Sequence, residues 1–365
     1  AARRSPRMLP IGESNEDRVL ILSGGVGLGA YQAGAYARLH QDERLHPNWV
    51  AGSSIGAVNA AVIAGNAPDR RIERLQTLWH HYPTRMPVPD QPSVASARWR
   101  HLENWGSAIR TRLAGATGHF HPRAPMPFGP FRSFYDLEPL RDRLKHLVDL
   151  DRLNGGEIRV TVGTTDLETG ELVLFDTQRG DRISIDHLLA SCGYLPEFAP
   201  VEIGGRLLGD GGLAANAPIE ALRDHQQPLT CFVVDLFARD GERPGDLETA
   251  LSRKSDLTFA NQTWQRLEAF CREEQLRGEL RVLQDKTGAS GARRLATLYY
   301  LSYRPERSEA GSERLFDYSG RTIARRWQAG ADDMDHALII HVARTIDKPV
   351  SLTVVRASRR SIDRD

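Results

Sequence analysis

Gly52-Ser53-Ser54-Ile55-Gly56 fits the pattern G-x-S-x-G, a spacing that can offer a serine hydroxyl as a nucleophile. Such a turn exposes the hydroxyl between a strand and a helix. The glycines relieve crowding, and the helix N-terminus favours developing negative charge. The plainer role for Ser53 or Ser54 is to cap the helix. A serine nucleophile also needs a base and an oxyanion hole. His146, His187, His336 and His341 fall on helical stretches and read as surface or core histidines. Asp210, in Leu207-Leu208-Gly209-Asp210-Gly211-Gly212, is the better candidate base. Its flanking glycines let the chain turn tightly and carry a carboxylate up to another segment, against a plain reading as an Asp-Gly turn. Oxyanion donors can come from the glycine turn Ser23 to Gly29 (SGGVGLG), where bare backbone N–H groups precede a helix. Gly25, Gly27 and Ala30 also match the dinucleotide fingerprint G-x-G-x-x-A. That reading needs an acid at the end of the second strand to hold a ribose. The strand ends instead in Ala51-Gly52-Ser53-Ser54, which argues against a nucleotide.

The elements around these residues are strand–turn–helix units. RVLILS (18–23) is an apolar strand running through the glycine turn into AYQAGAYARLH, and 49–53 is a second strand running into IGAVNAAVIAG. Two such units in succession predict α/β layering with a mainly parallel sheet. Helices are expected over 68–82, 136–147 and from 185 to 190, a hairpin over 158–165 and 171–176, and a buried strand over 229–237. Between residues 83 and 133 the pattern dissolves. Segment 97–132 carries six Arg against one Glu, with Trp99, Trp105, Phe120, Phe128 and Phe131 interspersed and four prolines from Pro122 to Pro130. A connection of this length without a clear element reads as a basic, aromatic, lid-like insert, suited to anionic headgroups and a bilayer interface. After Arg239 come a core- or partner-facing helix over 257–283, a strand over 296–303 and a helix capped by Ser319 and running to about Val342. The Arg-rich end from Val354 reads as a solvated tail. The resulting division is a polar tail (1–17), an α/β core (18–239) and an extension of mixed helix and strand (240–365).

The chain has 365 residues, 48 basic and 47 acidic, for a net charge of +1. That balance excludes a globally basic nucleic-acid binder, and no apolar run reaches the roughly 18 residues of a membrane span. Cys192, Cys231 and Cys271 show neither metal-type spacing nor a disulfide framework, so a reduced, cytoplasmic setting is expected. Cys192 and its neighbour Ser191 read as structural.

Glycine loop, serine elbow and LGDGG turn, in this order and spacing, closely resemble the patatin-like phospholipase family. LSGGVGLGAYQAG is similar to its glycine-rich loop, GSSIGAVNAA to its elbow, and ASCGYLPEFAPVEIGGRLLGDGGLAANAP to its approach to the catalytic Asp. The likeness covers roughly residues 18–237. FYDLEPLRDRL and DYSGRTIARRWQAG look like a bacterial subgroup with a C-terminal extension. The resemblance implies a three-layer α/β sandwich and a Ser54–Asp210 dyad without a catalytic His. It also implies an oxyanion hole from the N–H groups of Gly24, Gly25 and Val26, and no metal or other cofactor. The implied substrate is a lipid or other acyl ester, with peripheral contact at the inner membrane through 97–132, no nucleic-acid partner, and an oligomeric state left open. Two positions depart from the family loop G-G-G-x-R/K-G: Val26 stands for its third glycine and Leu28 for its cation. Those departures support a second expectation, a catalytically weak or inactive lipid-binding scaffold.

Overall fold

The computed structural model describes residues 16–79, 94–123, 132–225, 227–285, 296–306, 309, 311–343 and 350–355. Residues 1–15 of the expected tail (1–17), residues 124–131 of the expected insert and the final stretch 356–365 lie outside the described residues, and Asp17 of that tail instead opens the first strand. In chain order the elements begin with β1 (Asp17–Leu22), α1 (Gly29–Leu39), β2 (Trp49–Ser53), α2 (Ile55–Ala64), α3 (Arg71–Trp79) and α4 (Val94–Ala114). Next come β3 (His121–Pro122), β4 (Tyr135–Asp136), α5 (Glu138–Leu147), α6 (Leu150–Leu153), β5 (Arg159–Asp166) and β6 (Leu172–Asp176). α7 (Ile185–Ser191), β7 (Val201–Ile203), β8 (Arg206–Asp210) and β9 (Leu229–Asp235) complete the expected core. α8 (Leu247–Asp285), β10 (Ala296–Ser302), α9 (Gly320–Val342) and β11 (Val350–Val355) follow.

One nine-stranded sheet runs β11-β10-β9-β1-β2-β5-β8-β7, with β6 paired to β5. From β11 to β5 every neighbouring pair is parallel, and β6, β7 and β8 pair antiparallel. Both faces are covered, so the parallel strands are apolar on alternate residues in both directions. Leu20, Leu22, Phe232 and Val234 pack on one face with α1, α2 and α9, while Val19, Ile21, Cys231 and Val233 pack on the other with Leu267 and Phe270 of α8. This is a three-layer α/β arrangement with a mostly parallel sheet.

The chain after residue 240 does not sit apart from that sheet. β10 pairs with β9 in parallel register from Ala296↔Leu229 to Ser302↔Asp235, and β11 extends the sheet beyond it. α9 packs on α1 at backbone distance, since a methyl on Gly34 would overlap the Trp327 carbonyl and one on Gly330 the Tyr31 carbonyl. Two expectations need correction. Residues 94–114, read as lacking a clear element, form a helix of 21 residues. Its solvent side carries Trp99, Leu102, Trp105 and Leu113, which are 46–76% exposed, while Asn104, Ser107 and Thr111 are buried. That inverted amphipathicity defeats a pattern search for an apolar inner face. The expected solvated tail begins too early, because Val354 and Val355 belong to β11 and Val355 is buried.

Candidate active site

β2 ends at Ser53 and α2 starts at Ile55, so Ser54 alone makes the turn, at φ 56° and ψ −130°. A non-glycine residue held in so sparsely populated a conformation stores about 1–3 kcal/mol and persists only where its surroundings fix it. Here the Ser54 N–H donates to the Ser191 hydroxyl at 2.8 Å, and that hydroxyl donates to the Gly163 carbonyl at 2.6 Å. Ser191 is fully buried. Its hydroxyl bridges the elbow to β5, a more specific task than the packing role expected from sequence. Gly52 and Gly56 permit the close approach of strand and helix: a methyl on Gly56 would overlap the Leu22 carbonyl, and one on Gly52 the backbone of Gly56 and Ala57.

β8 pairs with β5 and ends at Asp210, whose carboxyl lines the same cavity as the Ser54 side chain. The two residues are 2% and 7% exposed respectively. The turn through Gly211 and Gly212 brings the Gly212 N–H back to the Asp210 carboxylate at 2.7 Å. Burial disfavours the charged form and raises this carboxyl from 3.8 to about 7, against the pull of the Ser54 and Gly212 hydrogen bonds. Cys192 touches Ser54 from another side, and burial pushes its thiol well above the ordinary range. It therefore stays protonated and a poor nucleophile.

The glycine loop closes the site. Gly24 approaches Ser54 so closely that a Cβ on it would lie 3.0 Å from the Ser54 Cβ. Its own N–H donates to the Asn216 carbonyl at 2.9 Å. Gly24 therefore has no proton left for an oxyanion, which corrects its expected role. The N–H groups of Gly25 and Val26 are paired with no acceptor among the described residues. Val26 adopts φ 49° despite its branched side chain, a left-handed backbone that favours glycine. Leu28, at the family's cation position, is fully buried in the core. A ladder of buried amides ties the loop to the elbow helix. Gln32 donates to the Ser23 carbonyl at 2.8 Å, and Asn59 donates to the Gly29 carbonyl at 3.0 Å and to Gln32 at 3.1 Å.

Gly24, Gly25, Val26, Ser54, Asp210 and Gly212 all line one cavity of about 480 Å³. Its remaining wall includes the aromatic rings of Phe120, Phe198, Phe237, Phe259, Phe316 and Tyr318. Arg112 and Lys254 also reach it, Arg112 paired with Glu313 and lying 4.0 Å from the centre of the Phe316 ring. His119 lines the cavity as well. Burial lowers its imidazole to about 3, so it is neutral, and its ring packs against Trp79 and Tyr318. Among the described residues no cluster of three or more His, Cys, Asp or Glu side chains could hold a metal ion.

A serine on a strained strand-to-helix turn, with a buried carboxylate beside it in a three-layer α/β sandwich, defines a hydrolase-type scaffold. The chain belongs to the patatin-like phospholipase family, whose model matches residues 20–223, and it is thereby placed among lipid hydrolases. No curated protein matches the sequence. Among solved structures the chain is similar to VipD from Legionella pneumophila, at 14% identity and a TM-score of 0.37 over 85% of this chain and 67% of that one. It is also similar to the ExoU–SpcU heterodimer from the type III secretion system of Pseudomonas aeruginosa, at 16% identity and a TM-score of 0.31 over 87% of this chain. The chain spans about half, 52%, of that second structure's chain.

Proposed function

We propose that the chain is a serine acyl hydrolase that cleaves lipid esters with a Ser54–Asp210 dyad and a two-donor oxyanion hole. One observation carries this reading: Ser54, on its strained turn, shares one cavity with a buried carboxyl raised to about 7. A carboxylate near 3.9 is a weak base at neutral pH, whereas one near 7 matches the task. Asp210 accepts the Ser54 proton as Oγ attacks the acyl carbonyl. The N–H groups of Gly25 and Val26 then stabilise the tetrahedral oxyanion. Asp210 returns the proton to the departing alkoxide, leaving an acyl-Ser54 ester. Water, deprotonated by Asp210, attacks that ester and releases the fatty acid, and Ser54 recovers its proton.

A cavity of about 480 Å³ walled by aromatic rings supports a fatty-acyl chain as its occupant. The family match to patatin-like phospholipases supports a phospholipid or lysophospholipid over a neutral ester. The exposed Trp99, Leu102, Trp105 and Leu113 on α4 follow helical spacing, and Leu113 adjoins the cavity residue Arg112. That face supports peripheral contact with a bilayer interface. Among the described residues no helix is long and apolar enough to cross a membrane.

The direct test is fatty-acid release from phosphatidylcholine and lysophosphatidylcholine by the wild type and by Ser54→Ala. Release from at least one substrate, abolished in the variant, is expected. Equal release by the variant would refute the nucleophile. Lipid binding without release by the wild type would favour the scaffold reading.

A further inference from the structure

Arg326, on α9, is fully buried. A buried guanidinium is costly unless its donors are paired; here both Nη groups are paired and, among the described residues, Nε is not. Nη1 donates to the carbonyls of Gly27 and Asp317, each at 3.0 Å, and Nη2 donates to the Arg314 carbonyl at 2.9 Å and to the Glu309 carboxylate at 2.8 Å. Gly27 immediately follows Val26 in the glycine loop, 299 residues away from Arg326 in the chain. The only loop bond of these four is therefore the one to the Gly27 carbonyl.

That carbonyl lies one peptide beyond the strained residue. Val26, at φ 49°, is strained by about 1–3 kcal/mol and will relax unless the peptides after it are held. The first, through the Val26 carbonyl, accepts from the Gly29 N–H, and the second carries the Gly27 carbonyl that Arg326 grips. Leu28 is buried and apolar, so the loop brings no charged side chain of its own to do this. Arg326 is in turn placed accurately against the loop. Its helix packs on α1, which begins at Gly29 directly after the loop, through the Gly34 and Gly330 contacts. The Tyr31 hydroxyl also donates to Asp333 at 2.7 Å, and Arg38 donates to Asp335 at 2.7 Å. The segment just before α9 completes the enclosure, with Glu313, Leu315, Phe316 and Tyr318 walling the cavity.

We propose that Arg326 is a positioning residue for the oxyanion loop: it holds the Gly27 carbonyl so that the strained Val26 presents the Gly25 and Val26 N–H groups to the site. The C-terminal segment is thus a working part of the active site. This inference rests on the reading of those two N–H groups as oxyanion donors.

The test compares wild type, Arg326→Lys, Val26→Gly and the double variant, using hydrolysis of p-nitrophenyl butyrate and hydrogen exchange of the peptide spanning 23–29. Lysine keeps a charge for Glu309 but lacks the fork that reaches both Gly27 and Arg314. In Arg326→Lys, kcat should fall about tenfold or more while KM moves less than about twofold, as expected when transition-state donors are misplaced and substrate binding is not. Exchange at 25–28 should quicken while the rest of the sheet is unchanged. Because glycine adopts φ near 49° without strain, the lysine substitution should cost less in the Val26→Gly background. A folded Arg326→Lys protein with wild-type kcat and wild-type loop exchange would overturn the proposal, as would a kcat loss of equal size in both backgrounds. If Arg326→Lys does not fold, Arg326→Met with Glu309→Gln removes the buried pair together and is judged by the same readouts. A wild type without turnover would refute the hydrolase reading, and the exchange measurement would still decide whether Arg326 holds the loop.

Discussion

Replacing Asp210 by Asn should stabilise the protein while abolishing its catalysis, with a pH signature that follows from burial. The Asp210 carboxyl is 2% exposed and titrates near 7 in the folded chain, against 3.8 when unfolded. Between those values the native state holds a proton that the unfolded chain has released. Its contribution to stability is full below 3.8 and is lost as the pH rises through about 7. Above that, keeping a charge in this site costs about 4 kcal/mol relative to a neutral side chain. Asn retains an oxygen acceptor for the Gly212 N–H but turns an NH2 toward Ser54, which takes back part of the gain. The expected advantage of Asp210→Asn is then about 2–4 kcal/mol at pH 8, shrinking to about 1 kcal/mol or less near pH 4.5. Urea unfolding of both proteins at pH 4.5, 6, 7 and 8 reads this difference directly. Asp235, also buried and raised to about 6, slopes in the same direction in both proteins and cancels from the difference. A variant less stable than wild type at pH 8, or an advantage that does not change with pH, would refute the argument that desolvation sets this carboxyl.

Ser191→Ala removes the bridge between the Ser54 N–H and the Gly163 carbonyl and takes away the partner of the buried Ser54 N–H. Thermal or urea unfolding should show a loss of about 1–3 kcal/mol, and kcat should fall more than KM rises because the elbow loses its fixed point. The outward face of α4 predicts that Trp99→Ser with Trp105→Ser will weaken co-sedimentation with liposomes several-fold, since interfacial binding scales with buried apolar area. Turnover of a soluble short-chain ester should be unchanged in that double variant, and undiminished liposome binding would remove the membrane reading of this helix.

How far the sequence alone reached depended on the distance over which each residue acts. β1, α1, β2 and α2 were legible because apolar runs, glycine turns and small-residue helices follow one another within sixty residues. The turns that carry Ser54 and Asp210 were legible because each has its own local glycine chemistry. What escaped notice acts across the fold. Ser191 reaches Ser54 over 137 positions, and Arg326 reaches Gly27 over 299, so neither bond leaves a trace in local spacing. Gly24 looked like an oxyanion donor because nothing nearby in sequence reveals that Asn216 takes its N–H. The segment ATLYYLS was readable as a strand, but an apolar run does not say which strand it joins. Only the sheet register brings it beside β9. Helix α4 was hidden for the opposite reason, since its tryptophans and leucines face outward.

The central claim is a working dyad served by a loop in which Val26 stands in the place of glycine. It is tested most directly by intact-mass spectrometry after treatment with an alkyl fluorophosphonate, which reacts with a serine activated by both a base and an oxyanion hole. One adduct is expected on the wild type, none on Ser54→Ala and much slower formation on Asp210→Ala. An unmodified wild type, or an adduct that persists in Ser54→Ala, would contradict it.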